Sequence, residues 1–242
     1  MKRRVVITGM GAVSPIGNTV EEMWANARKG TCGIDFIKGF DTENHKVKVA
    51  GELKGFDITD YMDKMAARRT ARFTQLALVA ARAAMKQAGL DMKLEDPSRC
   101  GVNISSGIGG LPTIEEEHYK GMKRGFDKVS PLFVPMAITN MAAGMVAIEH
   151  GFTGSCTCVV TACASATNAI GEAFRQIRDG YAEVFLTGGS ESCISELGIG
   201  GFTSMKALSE SCDPKRASIP FDKERDGFVM GEGAGVLLLE EY

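Results

Sequence analysis

Cys156–Asp179, CTCVVTACASATNAIGEAFRQIRD, changes its hydrophobic period midway, and that change decides the fold. Cys156–Val160 is a short apolar, β-branched run of the kind that forms a buried strand. From Ala164 onward the spacing is helical. Ala166, Ala169, Ile170, Ala173, Phe174 and Ile177 recur three and four apart, and Gly180 supplies a stop. Thr161, Ala162, Cys163 and Ala164 lie between the two periods. Cys163 is therefore expected on a sharp strand-to-helix turn, its sulfur beside the first N–H groups of the helix. Those groups have no intrahelical partner and carry partial positive charge. Thiols in such places serve as nucleophiles, and the small neighbours Ala162, Ala164, Ser165 and Ala166 leave room for a substrate. Position alone equally allows a buried cysteine packed as a small hydrophobe.

Working outward, the same alternation of strand and helix repeats. Arg4–Thr8 is an apolar strand followed by Gly9, Gly11 and Gly17, which predict a tight turn before a helix over Val20–Lys29. GMGAVSPIG is superficially like a dinucleotide fingerprint. Its third glycine is misplaced, however, and Pro15 interrupts the helix start, so nucleotide binding is set aside. Cys32–Tyr61 has little periodicity and reads as loop. Thr70–Gln87 is a helix with Phe73, Leu76, Ala77, Ala80 and Ala84 on one face and Gly89 at its end. Arg99–Ser106 is a second parallel-type strand. Pro112–Met122 and Ala137–His150 are further helices, the latter with Ile138, Met141, Met145 and Ile148 on one side. Glu183–Thr187 returns as a strand after the cysteine's helix. Ser190–Phe221 reads as irregular, and Val236–Leu239 is the last buried strand. This order implies a layered α/β domain.

Composition excludes several functions. With Lys+Arg 28 against Asp+Glu 30, the chain has no overall basic charge to attract nucleic acid. No apolar run approaches the roughly 20 residues of a membrane span, and the basic N-terminus MKRR precedes a glycine-broken stretch that reads as a strand. The cytoplasm is the expected location. Seven cysteines are scattered without a CxxC or Cys/His cluster, so reduced thiols are expected, with no metal site.

TACASA (Thr161–Ala166) closely resembles the nucleophile motif of the β-ketoacyl-acyl-carrier-protein synthases, the condensing enzymes of fatty-acid synthesis. Three further stretches match that family in order: VVITGMGAVSPIGN near the start, SSGIGGL at Ser105–Leu111, and PFDKERDGFVMGEGAGVLLLEE at the end. The resemblance covers essentially the whole chain, and GIGGL is similar to the type II elongating synthases rather than type I. It implies the thiolase fold, a layered α-β-α arrangement in two similar halves. Residues 1–242 would be the N-terminal half, the C-terminal half being absent.

The same resemblance implies the chemistry. Cys163 would accept an acyl group from the phosphopantetheine of acyl carrier protein, with no cofactor of the protein's own, and its backbone N–H would be one oxyanion donor. Malonyl carrier protein would then be decarboxylated and condensed with the acyl thioester. The family's two catalytic histidines have no counterpart in its motifs here. His45, His118 and His150 are the only histidines, and His150 reads as a helix-end cap. Ile108 and Phe202 match acyl-tunnel positions, and Phe133 matches one that reaches the tunnel from a partner subunit in a homodimer. Arg68, Arg69, Arg124, Lys128 and Lys206 match positions that meet the acidic carrier protein; alone they read as a solvated surface. Rival readings are a polyketide-type or type I condensing enzyme, a degradative thiolase, a chain-length factor, and a non-catalytic assembly fragment.

Overall fold

In the computed structural model, which describes residues 2–242, the elements follow in order. They are β1 (Val5–Val13), α1 (Val20–Arg28), β2 (Asp35–Phe36), β3 (Val49–Ala50), α2 (Lys64–Arg68) and α3 (Arg72–Ala88). Next come β4 (Cys100–Ser105), α4 (Leu111–Arg124), α5 (Phe133–Ala137), α6 (Met141–His150) and β5 (Cys156–Thr157). α7 (Ser165–Arg178), β6 (Val184–Glu191), α8 (Glu196–Ser204) and β7 (Gly233–Glu241) complete the chain. Five strands form one sheet in the order β1-β7-β6-β4-β5, while β2 and β3 form a separate two-stranded pair. β4 runs parallel to both β5 and β6, and β7 is antiparallel to its neighbours β6 and β1.

Alternation along the central strands decides which helix covers which face. Val102 and Ile104, Val184 and Leu186, and Val236 and Leu238 point to one side, where α3 and α6 pack against them. Phe185, Leu237 and Leu239 point to the other, against Ala173 and Ile177 of α7. The result is a three-layer α-β-α sandwich. All five sheet strands fall where the sequence places them. α3 lies on this face beside α6, over β1, β7 and β6, and is buried along its length from Phe73 to Ala81. Its alanines let β1 come close. A Cβ on Gly9 or Gly11 would sit 2.0 or 1.8 Å from the carbonyl oxygens of Ala84 and Ala80. β1 therefore runs on through both glycines to Val13, and the turn falls at Ser14–Gly17 instead.

Four expectations are corrected. Only Cys156–Thr157 of the Cys156–Val160 run pairs as a strand, because the Val159 N–H donates to the Ser105 side chain, 3.1 Å, rather than to a neighbouring backbone. The helix expected over Ala137–His150 is split, with Ile138 extended between α5 and α6. Its buried face is also rotated from that expected: Ala142, Ala143, Val146 and Ala147 face the core, Met145 packs against it only in part, and Ile148 is 75% exposed. Finally, α8 lies within the stretch read as irregular. Ser195 caps it by accepting from Gly198 N–H.

Candidate functional site

The segment after β5 delivers Cys163 by a short left-handed step. Ala162 has φ 52°, a conformation in which L residues are strained by about 1–3 kcal/mol. Ser165 holds that conformation. Its hydroxyl accepts from Thr161 N–H at 2.8 Å and donates to the Ala162 carbonyl at 2.6 Å, while Asn168 Nδ2 donates to Thr161 Oγ1 at 2.6 Å. The turn's own backbone bonds use the N–H groups of Ala164 and Ser165, not that of Cys163. Cys163 lies one residue before the N-cap Ala164 of α7. Among the described residues its sulfur makes no hydrogen bond. The left-handed step turns the exposed side chain into a cavity of about 470 Å³.

That cavity brings distant segments together. Ser105–Ile108 after β4, Gly189–Glu191 at the end of β6, and Val229–Gly231 before β7 form its walls. Ile108 and Phe202 both line it. Phe133 does not; it is half-buried at the start of α5. Most of the other lining residues were not named as such from the sequence, Phe228 and Glu191 among them. Phe228 packs edge-on to Phe202 with ring centroids 5.7 Å apart, and Glu191 holds the loop that carries Ile108. The aromatic residue in DGFVMGEG was visible in the sequence as part of a motif. Nothing in the sequence around Glu191 announces where its carboxylate goes.

The Val229–Gly231 wall is fixed through the neighbouring Glu232, whose side chain is 6% exposed. Arg72 grips it with two bonds of 2.7 Å, and Ser192 Oγ and Leu53 N–H donate at 2.8 and 3.0 Å. Burial pushes the Glu232 carboxyl up, but these donors more than offset it and hold it below the usual carboxylate range. A depressed folded-state pKa contributes stability at neutral pH that is lost as pH falls below the ordinary value of 4.5. Glu232→Gln is expected to cost about 1–3 kcal/mol at pH 7. Urea denaturation should show that deficit shrinking as pH drops through the carboxylate range; a pH-independent deficit would assign the loss to packing alone.

Burial pushes Cys100 up to about 11 and also raises Cys156 and, more strongly, Cys193. Cys32 and Cys212 are exposed, away from the cavity. None of the three histidines lines the cavity: His45 packs on Phe40, His118 on Phe126 and His150 on Phe152. His150 does not cap its helix. Gly151 does so in the left-handed conformation, and His150 Nε2 is buried without a partner, so burial pushes the imidazole pKa down. Arg68, Arg69, Arg124, Lys128 and Lys206 are all exposed, and none is in an ion pair among the described residues. Arg124 and Lys128 share the end of α4 and the turn after it; Lys206 follows α8, which packs on α4. Arg68 and Arg69 lie apart, at the end of α2. Among the described residues no group of three His, Cys, Asp or Glu could hold a metal, and no helix is long and apolar enough to cross a membrane.

The structure thus places an exposed cysteine on a strained strand-to-helix turn, opening on an apolar cavity at the edge of a mixed α/β sheet. The chain belongs to the β-ketoacyl synthase family: residues 2–242 match its model, described as "Beta-ketoacyl synthase, N-terminal domain". It is 53% identical to the 3-oxoacyl-[acyl-carrier-protein] synthase 2 of Staphylococcus aureus (strain COL) over 98% of its length and 58% of the relative's. The same-named Synechocystis protein is 45% identical, over 99% of this chain and 58% of that one. Among solved structures, a type II PKS acyl-carrier protein in complex with its ketosynthase, bound to the hexaketide, matches with a TM-score of 0.88. That match has 33% identity and covers 100% of this chain and 59% of the other. The chain thus spans less than two thirds of these relatives, and its sandwich is that of the thiolase-fold ketosynthases.

Proposed function

We propose that this chain is the nucleophile-bearing, N-terminal half of a type II β-ketoacyl-acyl-carrier-protein synthase, an acyltransferase that lengthens fatty acyl chains by two carbons in the cytoplasm. The observation that carries the reading is the Cys163 turn opening on the cavity lined by Ile108, Phe202 and Phe228. Cys163 attacks the thioester of an acyl carrier protein, the carrier's pantetheine thiol leaves, and the acyl group stays on the sulfur. Apolar walls take its hydrocarbon tail, and the Cys163 N–H, left free by the turn, donates to the tetrahedral oxyanion. Malonyl carrier protein then loses carbon dioxide. Its enolate attacks the acyl carbonyl, Cys163 leaves as the thiolate, and a β-ketoacyl carrier is released. Neither metal nor redox cofactor enters this sequence of steps.

Arg68, Arg69, Arg124, Lys128 and Lys206, exposed and unpaired, would meet the carrier's carboxylates and steer its approach. A solved relative binds an acyl-carrier protein, which supports carrier docking. Phe133 would close the tunnel of the opposite subunit in a homodimer.

In the family two histidines stabilise the enolate's charge, and among the described residues no histidine lines this cavity. The chain alone is therefore expected to take up acyl groups without condensing them. Incubation with acyl- and malonyl-carrier proteins, read as carbon dioxide and β-ketoacyl product, tests this. Product should appear only when the remaining portion of a homologous synthase is added, and robust product from the chain alone would overturn the assignment of the missing groups.

A further inference from the structure

Glu191 ends β6 with its carboxylate in the cavity wall, and four donors converge on it. Ser106 Oγ and Cys193 Sγ donate to Oε1 at 2.8 and 3.2 Å. The N–H groups of Gly107 and Ile108 donate to Oε2 at 2.7 and 3.2 Å. No Lys or Arg pairs with it among the described residues, so backbone, hydroxyl and thiol donors satisfy the charge without an ion pair. Ser106 Oγ passes the restraint on by accepting from Gly109 N–H at 2.9 Å.

The loop is held equally tightly on its far side. Gly110 N–H donates to the Ala137 carbonyl at 3.0 Å, and a Cβ on Gly110 would lie 2.1 Å from the Met136 carbonyl oxygen. Residues 106–110 are thus clamped between Glu191 and the end of α5. The loop also borders the nucleophile turn: a Cβ on Gly107 would lie 2.8 Å from Glu191 Oε2 and 3.5 Å from the Ala162 carbonyl oxygen. One carboxylate therefore fixes where Ile108 stands relative to Cys163.

We infer that Glu191 is a positioning residue that sets acyl-chain-length selectivity, by anchoring the Ser106–Gly109 loop and with it the Ile108 side chain in the cavity wall. A glutamine has one acceptor oxygen, and its amide turns two further donors toward loop groups that are themselves donors. Glu191→Gln should release the loop and let Ile108 give way to longer chains. The inference rests on the acyl-transfer reading of Cys163.

The test measures transfer from short and long acyl-carrier thioesters to Cys163 in the full chain, with iodoacetamide labelling of Cys163 in parallel. Glu191→Gln is expected to change the long-to-short ratio of transfer rates by about tenfold, the size of one charge-assisted hydrogen bond. Iodoacetamide labelling, which needs no acyl pocket, should keep its wild-type rate. Ser106→Ala removes one donor to Glu191 and the acceptor of Gly109 N–H but leaves the Gly107, Ile108 and Cys193 donors in place, so it should shift the ratio the same way by less, which keeps the test decisive if the glutamine variant does not fold. An unchanged ratio, or a uniform loss at all lengths accompanied by slower labelling, overturns the role of Glu191. Absence of acyl transfer to Cys163 in the unaltered chain would instead remove the acyl-transfer reading, and this inference with it.

Discussion

Cys163→Ala is expected to lower acyl uptake from an acyl-carrier thioester by about 10³-fold or more, since the bond that would hold the acyl group no longer has an atom to form on. Intact mass followed by peptide mapping measures it: the unaltered chain should gain one acyl mass on the peptide containing Cys163, and the variant none. Competition from other thiols is limited by the fold. Cys100 and Cys193 are buried, with thiols pushed up by that burial, and stay protonated near neutrality. Cys32 and Cys212 are accessible but have neither the strained turn nor the cavity. Acyl mass appearing on Cys212 at the rate seen for Cys163 would remove the nucleophile assignment.

The turn was legible because its two flanks have different periods, and only a short break separates them. The sheet was legible for a related reason. Strands buried on both faces, such as Cys100–Ser105 and Val184–Glu191, are near-continuous apolar or small-residue runs. What stayed hidden depends on distant contacts. ELGIGGFTS does not read as a helix, because three glycines weaken helix propensity; Ser195 and packing against α4 supply what the local sequence lacks. The large apolar residues of α6 suggested the wrong face, since Ala142, Ala143, Val146 and Ala147 are the ones that join the cluster built on Ala77, Ala80, Ala81 and Ala84 of α3, with Met145 only partly covered. Glu191 and Ile108 are 83 residues apart in sequence, and no periodicity could have joined a carboxylate to that loop. The basic residues were easy to name. How they group on the surface was not, and only Arg124, Lys128 and Lys206 fall on neighbouring elements.

Gly11→Val is expected to destabilise the chain by about 3 kcal/mol or more, enough to leave much of it unfolded. A Cβ at this position would lie 1.8 Å from the Ala80 carbonyl oxygen and 2.9 Å from the Ala83 Cβ. Neither atom can swing away, because one is backbone and the other a methyl on a helix packed against both the sheet and α6. Relief would require β1 to lift from α3, breaking its pairing with β7 across Gly11–Val236 and exposing the Val13–Leu76–Val79 cluster. Size alone is not the cause, as a glycine in open space behaves oppositely. At Gly201, in the interior of α8, an added methyl would meet nothing within 4 Å. Gly201→Ala should therefore stabilise by about 0.5–1 kcal/mol through helix propensity. Urea unfolding followed by circular dichroism reads both variants against the unaltered chain. A Gly11→Val midpoint matching that of the unaltered chain would mean that β1 does not depend on close contact with α3.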